Sequence, residues 1–182
     1  MNQKKVYLMC GIPGSGKSTY INKVKDEKSV VISRDAIRFC LLSEEDEYFA
    51  KEDEVLEIFH KQINEAINNP EVESVFIDAT HLTPRTRKGM LHSLPKGDYK
   101  KIAVAFLVPF RVCAERNEQR SGRAVVPALQ MQRMYGSFQI PTLEEGFDSI
   151  YKVYEDGSTY EWFEKDKYFC PRFFKERRIK YE

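Results

Sequence analysis

Apolar residues recur along this chain with two periods in turn. The continuous run Val6-Tyr7-Leu8-Met9-Cys10 predicts a buried strand, and the stretch from Thr19 to Lys25 predicts a helix. Ser29-Val30-Val31-Ile32-Ser33 is a β-branched run that reads as a second strand ending at Arg34-Asp35. From Glu44 to Asn69 the residues Phe49, Val55, Leu56, Phe59, Ile63, Ala66 and Ile67 fall on one helical face. Its acidic start suits the positive end of a helix dipole, and Asn68-Asn69-Pro70 stops it. Val75-Phe76-Ile77-Asp78 is a third strand closed by a carboxylate, and Thr83-Pro84 supplies a cap and first residue for another helix. Ile102 to Val108 is almost wholly apolar, as a parallel strand covered on both faces must be. The chain then turns polar from Arg111 to Arg123, and Val126-Pro127 introduces a helix through Tyr135. After Pro141 an acidic segment, Glu144 to Asp148, precedes a last strand from Ile150 to Tyr154. Strands alternating with helices predict an α/β fold, a doubly wound, mostly parallel sheet flanked by helices. Ligands gather at the carboxyl ends of such strands, where the chain around residue 11, Asp35 and Asp78 converge.

Composition narrows the picture only a little. At 182 residues, with 42% hydrophobic and 31% charged residues, the chain suits one globular domain with an ample core. A formal net charge of +1 means that any nucleic-acid contact must come from a local basic patch, not a global field. Cys10, Cys40, Cys113 and Cys170 form no C-x-x-C pair and are expected as reduced core residues. Met-Asn-Gln-Lys-Lys leads straight into the first strand, with no leader pattern, and no apolar run approaches membrane-spanning length. The expectation is a cytoplasmic protein with no membrane partner.

The chemistry starts between the first strand and the first helix. Gly11-Ile12-Pro13-Gly14-Ser15-Gly16-Lys17-Ser18 is a complete G-x-x-x-x-G-K-[ST] phosphate loop. Its glycines allow a tight turn whose backbone N–H groups face phosphate oxygens. Lys17 then reaches the β- and γ-phosphates, the Ser18 hydroxyl ligates Mg²⁺, and the helix opening at Thr19 adds its dipole. A nucleoside triphosphate with Mg²⁺ is the expected ligand. At the end of the second strand, Asp35 is followed three residues later by Arg38. A carboxylate there suits a general base for an incoming hydroxyl, worth roughly 10²- to 10⁴-fold in rate, and Arg38 suits an acceptor phosphate. The same spacing fits a helix-start carboxylate with a solvated arginine partner, and the two readings stand level. Asp78 resembles a metal-holding carboxylate, while a turn or cap is its other reading. Arg116, Arg120 and Arg123 fall on one face if the segment is helical, where three like charges call for an anion between them. A solvated face interrupted by Glu115 and Glu118 is the alternative. His81 receives no role.

Together these motifs resemble the 5′-hydroxyl polynucleotide kinase family of P-loop phosphotransferases, comprising the kinase domain of phage polynucleotide kinase and the bacterial end-healing kinases. The resemblance rests on Gly11 to Thr19, Arg34-Asp35 with Arg38, Asp78-Ala79-Thr80, Arg116-Asn117 with Arg120, and Val126-Pro127 with Met134-Tyr135, across about residues 5 to 155. It implies that Gly11, Gly14, Ser15, Gly16, Lys17, Ser18, Thr19 and Arg116 bind the ATP phosphates. Asp35 is then the base on the 5′-hydroxyl, Arg38 the grip on the acceptor of RNA or DNA, and Ser18 with Asp78 the Mg²⁺ site. Either Arg120 or Arg123 is the catalytic lid arginine, since Ser121-Gly122-Arg123-Ala124 runs about one residue longer than in the phage enzyme. His81 stands where many relatives carry Asn, and the D-x-D-x-T motif of the phage phosphatase is absent. The organisation expected is one P-loop NTPase kinase domain, residues 1–182: a core to 155, an arginine-bearing helical lid at about 111–140, and an extension over 156–182.

In that extension Tyr160, Trp162, Phe163, Tyr168, Phe169, Phe173 and Phe174 mix with Arg172, Lys175, Arg177, Arg178 and Lys180. Stacking plus charge would bind nucleic acid, but interleaved Glu161, Glu164, Asp166 and Glu176 favour packing onto the domain. Two other functions remain: a kinase of a small metabolite or nucleoside, for which near-zero charge speaks, and an ATP-binding regulatory module with slow hydrolysis.

Overall fold

A computed structural model describes residues 3–43, 45–163 and 175–179. A seven-stranded sheet runs through it in the order β2-β3-β1-β4-β5-β6-β7. The strands are β1 (Lys4–Cys10), β2 (Ser29–Ser33), β3 (Ser74–Asp78), β4 (Tyr99–Leu107), β5 (Ser149–Tyr154), β6 (Thr159–Phe163) and β7 (Lys175–Ile179). The first five pair in parallel and the last two antiparallel. The helices are α1 (Lys17–Val24), α2 (Arg34–Leu41), α3 (Glu52–Asn68), α4 (Pro84–Ser93), α5 (Phe110–Glu118) and α6 (Ala128–Ser137). The doubly wound, mostly parallel sheet read from the sequence is the fold.

Its two faces follow from the pleat. Val75 and Ile77 of β3, with Ala103 and Ala105 of β4, join Val6, Leu8 and Ile32 under Val55, Phe59 and Ile63 of α3. The alternate residues Phe76, Ile102, Val104 and Phe106 face the other way, onto Tyr20 and Ile21 of α1. Every second residue of β3 and β4 therefore meets a different helix layer, which is why these strands carry no polar alternation. A third cluster, Ile12, Leu82, Val108, Cys113 and Met131, seats α5 and α6 at the carboxyl edge of the sheet.

Local caps agree with the sequence. Thr83 and Thr86 form a reciprocal capping box on α4, with Pro84 in its first turn. The long helix differs: it starts at Glu52, not Glu44. Asp46 accepts from the Ser43 amide at 2.8 Å, and turn bonds Ala50 N to Glu47 O and Glu52 N to Phe49 O follow. Side-chain and turn bonds thus claim the amides a helix would need, and Phe49, expected on the apolar face, is 68% exposed instead. The strand at Ile150 to Tyr154 is not the last one. Gly157, at φ 78°, turns the chain back so that Tyr154 N bonds Ser158 O at 3.0 Å and β6 pairs with β5.

Cys10 and Cys113 are buried thiols, as expected, but Cys40 is exposed on α2 and not a core residue. Burial pushes the Cys10 thiol up to about 12, so it stays protonated and inert. Of the C-terminal aromatic and basic cluster, Trp162 packs against the core, with Lys152 Nζ 3.5 Å from its ring centre. Tyr168, Phe169, Cys170, Arg172, Phe173, Phe174 and Lys180 lie outside the described residues, as do the side chains of Phe163, Lys175, Arg177 and Arg178. Among the described residues no helix is long and apolar enough to cross a membrane.

Candidate active site

The phosphate loop joins β1 to α1, and its backbone is shaped by close packing. Gly14 and Gly16 hold φ of 76° and 93°, the left-handed region that suits glycine. A Cβ on Gly14 would sit 2.2 Å from the Cys113 carbonyl oxygen, and one on Gly11 would sit 2.8 Å from Ser15 Oγ. The loop is anchored by the Gly11 amide on Thr80 O at 2.9 Å, which ties it to the end of β3. Lys17 Nζ reaches back to the carbonyls of Gly11 and Ile12, both at 2.9 Å. Burial lowers the Lys17 ammonium below the usual lysine range, while the Asp78 carboxylate pulls it the other way. Ser15 Oγ is buried in the loop with no hydrogen-bond partner. An orphaned hydroxyl inside a cradle that a single methyl would fill fits a ligand rich in acceptor oxygens.

Ser18 and Thr19 are exposed at the first turn of α1, where its N–H groups face the cavity. Asp78 ends β3, and burial raises its carboxyl above the ordinary range against the pull of Lys17. Among the described residues no group of three or more His, Cys, Asp or Glu could hold a metal ion. The donor set, one hydroxyl and one carboxylate, fits Mg²⁺ shared with phosphate oxygens, an ion that keeps most of its ligands as water and substrate.

Across the cavity, α2 starts at Arg34, with Ser33 Oγ accepting from the Ala36 amide at 3.4 Å. That cap sets Asp35 and Arg38 one turn apart. Arg38 donates to Asp35 Oδ1 at 2.7 Å and to Glu52 Oε2 at 2.6 Å. Its side chain is 4% exposed while that of Asp35 is 64% exposed. The arginine is therefore not the solvated partner that spacing allowed: it is a buried charge held between two carboxylates, with its Nε–H left without a partner. Arg34 pairs with the other Glu52 oxygen, and Tyr48 donates to Asp35 Oδ1 at 3.0 Å. Desolvation works against the Arg38 cation, but the Glu52 and Asp35 carboxylates outweigh it and raise its pKa.

The three lid arginines do not share one helical face. α5 ends at Glu118, Arg120 N bonds Asn117 O in a turn, and a short 3₁₀ segment, Gly122–Ala124, carries Arg123. The chain leaves α5 through Gln119 and that turn, Gly122 opens the 3₁₀ segment at φ 56°, and Asn117 clamps the far side by bonding both the amide and carbonyl of Val126, at 3.1 and 2.8 Å. All three arginines nevertheless line one cavity of about 1280 Å³ with Lys17, Ser18, Asp35, Arg38 and Asp78. Folding, not helical phase, gathers the charge.

The sequence assigned no site role to Arg34, Tyr48, Glu52, Phe39 or Phe49, all of which the structure places at or beside the cavity. Glu52 lies 14 residues from Arg38, beyond any local periodicity. A clue was present in Tyr48-Phe49, two aromatics amid acidic residues. His81 lies buried beside the loop, its Nδ1 2.9 Å from Met9 O, and burial lowers its pKa to about 4. It is thus a neutral hydrogen-bonded neighbour at φ 39°, a conformation uncommon outside glycine.

The model of the AAA domain family (AAA_33) matches residues 6–141. No curated protein matches the sequence. Among solved structures, the chain is similar to one from the Pnkp1/Rnl/Hen1 RNA repair complex, with a TM-score of 0.62 at 17% identity over 75% of this chain and 44% of that one. It therefore spans less than half the length of that relative. A fungal RNA kinase gives 0.56 at 18% identity, covering 84% of this chain and 75% of that chain. A gluconokinase from Sinorhizobium meliloti 1021 gives 0.54 at 20% identity, covering 85% and 84%. At these identities the likeness shows a shared fold and leaves the acceptor open.

Proposed function

The chain belongs to the AAA domain family and has the P-loop kinase fold, and from that premise we propose that it is an ATP-dependent kinase of 5′-hydroxyl ends of RNA or DNA. One observation carries the reading: the exposed Asp35 carboxylate shares a cavity with the phosphate loop, and that cavity has room for a second substrate. The fold likeness to a fungal RNA kinase and to a chain of an RNA repair complex supports it.

In this proposal Asp35 takes the proton of the attacking hydroxyl, its Oδ1 oriented by Arg38 and Tyr48. Lys17 leaves the loop carbonyls for the β- and γ-phosphates, and Gly11, Gly14, Ser15, Gly16 and Thr19 frame them. Arg116, with Arg120 or Arg123, meets the charge that grows on the transferring oxygens. Ser18 and Asp78 would hold Mg²⁺, which when bound neutralises phosphate charge. Arg38 grips the acceptor's phosphate through the donor capacity its carboxylate partners leave.

A specific observation favours a second reading. Arg38 is already engaged by Asp35, Glu52 and Tyr48, so an acceptor without a phosphate, such as a small polyol or nucleoside, fits without rearranging that network. Incubation with γ-labelled ATP and, separately, 5′-hydroxyl oligonucleotides, nucleosides, gluconate or no acceptor divides the readings. Label on oligonucleotides alone is expected. Label on a small acceptor alone, or released only as inorganic phosphate, overturns the proposal.

A further inference from the structure

On the acceptor side of the cavity, three aromatic rings stand together outside the core. Tyr48 lies 4.8 Å from Phe49 and 6.2 Å from Phe39 between ring centres, both edge to face. Phe49 is 68% exposed and Phe39 40% exposed, and both line the cavity. The turn that cuts the long helix short is what places Phe49 here. Behind the rings the Arg38 guanidinium carbon sits 4.5 Å from the Tyr48 centre and 5.5 Å from the Phe49 centre. The charge that orders them is itself fixed by Asp35 and Glu52. Exposed apolar rings grouped in a polar cavity suit a flat apolar occupant.

Position says which part of the acceptor this is. The Tyr48 hydroxyl touches Asp35 Oδ1, so the cluster starts at the proposed proton acceptor and leads away from it. A nucleoside with its 5′-hydroxyl at Asp35 carries its base one sugar ring further on. We propose that Phe39, Tyr48 and Phe49 are a stacking shelf for the 5′-terminal nucleobase of the acceptor. This rests on the polynucleotide reading above. Phe39 and Phe49 offer no polar side-chain atoms, so the shelf holds any of the four bases and reads none of them.

The test compares 5′-hydroxyl oligonucleotides that carry a terminal base with the same oligonucleotide abasic at its first position. The native protein should prefer the base-bearing one, with little difference among bases. Phe49→Ala should shrink that preference, read as a ratio of kcat/KM values, about 5- to 150-fold, the usual worth of one aromatic–base stack. Phe49→Tyr should retain it, and Phe39→Ala should shrink it too. A terminal 2-aminopurine should lose fluorescence on binding the native protein and less on binding Phe49→Ala. Equal losses on base-bearing and abasic oligonucleotides, as a ring contacting only sugar would give, overturn the shelf. So does an unchanged preference in Phe49→Ala while oligonucleotides are still phosphorylated. If the native protein labels no oligonucleotide, the polynucleotide reading itself falls, and the shelf with it.

Discussion

Arg87 is fully buried, and its five hydrogen bonds make a strong stability prediction. Nε and one terminal nitrogen donate to the two carboxylate oxygens of Glu145 at 2.7 and 2.8 Å. The other donates to the carbonyls of His81, Leu82 and Gln139 at 3.0, 3.1 and 2.9 Å. In Arg87→Met the Leu82 carbonyl still accepts the Gln139 amide, and Glu145 keeps the Thr142 amide at 3.0 Å. The carbonyls of His81 and Gln139 lose this donor, and a carboxylate 4% exposed loses its counter-charge. Breaking one side of such a pair costs about 3–5 kcal/mol. For a chain of this size that lowers Tm by roughly 6–20 °C. Replacing both partners, Arg87→Met with Glu145→Leu, should recover part of the loss: no charge is then stranded, while the His81 and Gln139 carbonyls and the Thr142 amide lack these partners. Urea and thermal unfolding of the three proteins read this directly. A single variant within about 1 kcal/mol of the native protein, or a double variant no better than the single, would refute the reasoning.

Three further outcomes are expected. Asp35→Asn should lower turnover about 10²- to 10⁴-fold with ATP binding retained, and near-native turnover would remove Asp35 as the base. Gly14→Ala should abolish ATP binding, because its Cβ would meet the Cys113 carbonyl at 2.2 Å, and titration with a fluorescent ATP analogue checks it. His81 binds its proton more weakly folded, at about 4, than unfolded, at about 6.5, with burial first and then the Arg34, Lys17 and Arg87 charges opposing it. The unfolded state therefore takes up the proton first, so this contribution, roughly 3 kcal/mol, is complete above pH 6.5 and lost as pH falls toward 4. Urea midpoints across that window should slope in the native protein and flatten in His81→Asn, a residue that tolerates the positive φ; equal slopes would show that His81 is not the titrating group.

The parts of this site that sequence could reach are those whose physics is local. Eight consecutive residues, Gly11 to Ser18, specify the phosphate loop because a nest of amides is made by one turn of backbone. Asp35 and Arg38 were visible because one helical turn separates them, yet their two readings could not be parted, since burial is a property of what packs against them. The deciding residue, Glu52, comes from the next helix and, pairing with Arg34 as well, buries Arg38 where spacing alone allowed a solvated partner. The lid shows the reverse. Helical phase placed Arg116, Arg120 and Arg123 on one face, but the helix ends at Glu118, and the same three charges reach the cavity from different segments. They line it together with Asp35, Asp78 and Glu155, so an anion among the guanidinium groups would add to, rather than replace, the acidic partners already there. On the proposed reading, the end of the helix at Glu118 lets each guanidinium approach the phosphates along its own path.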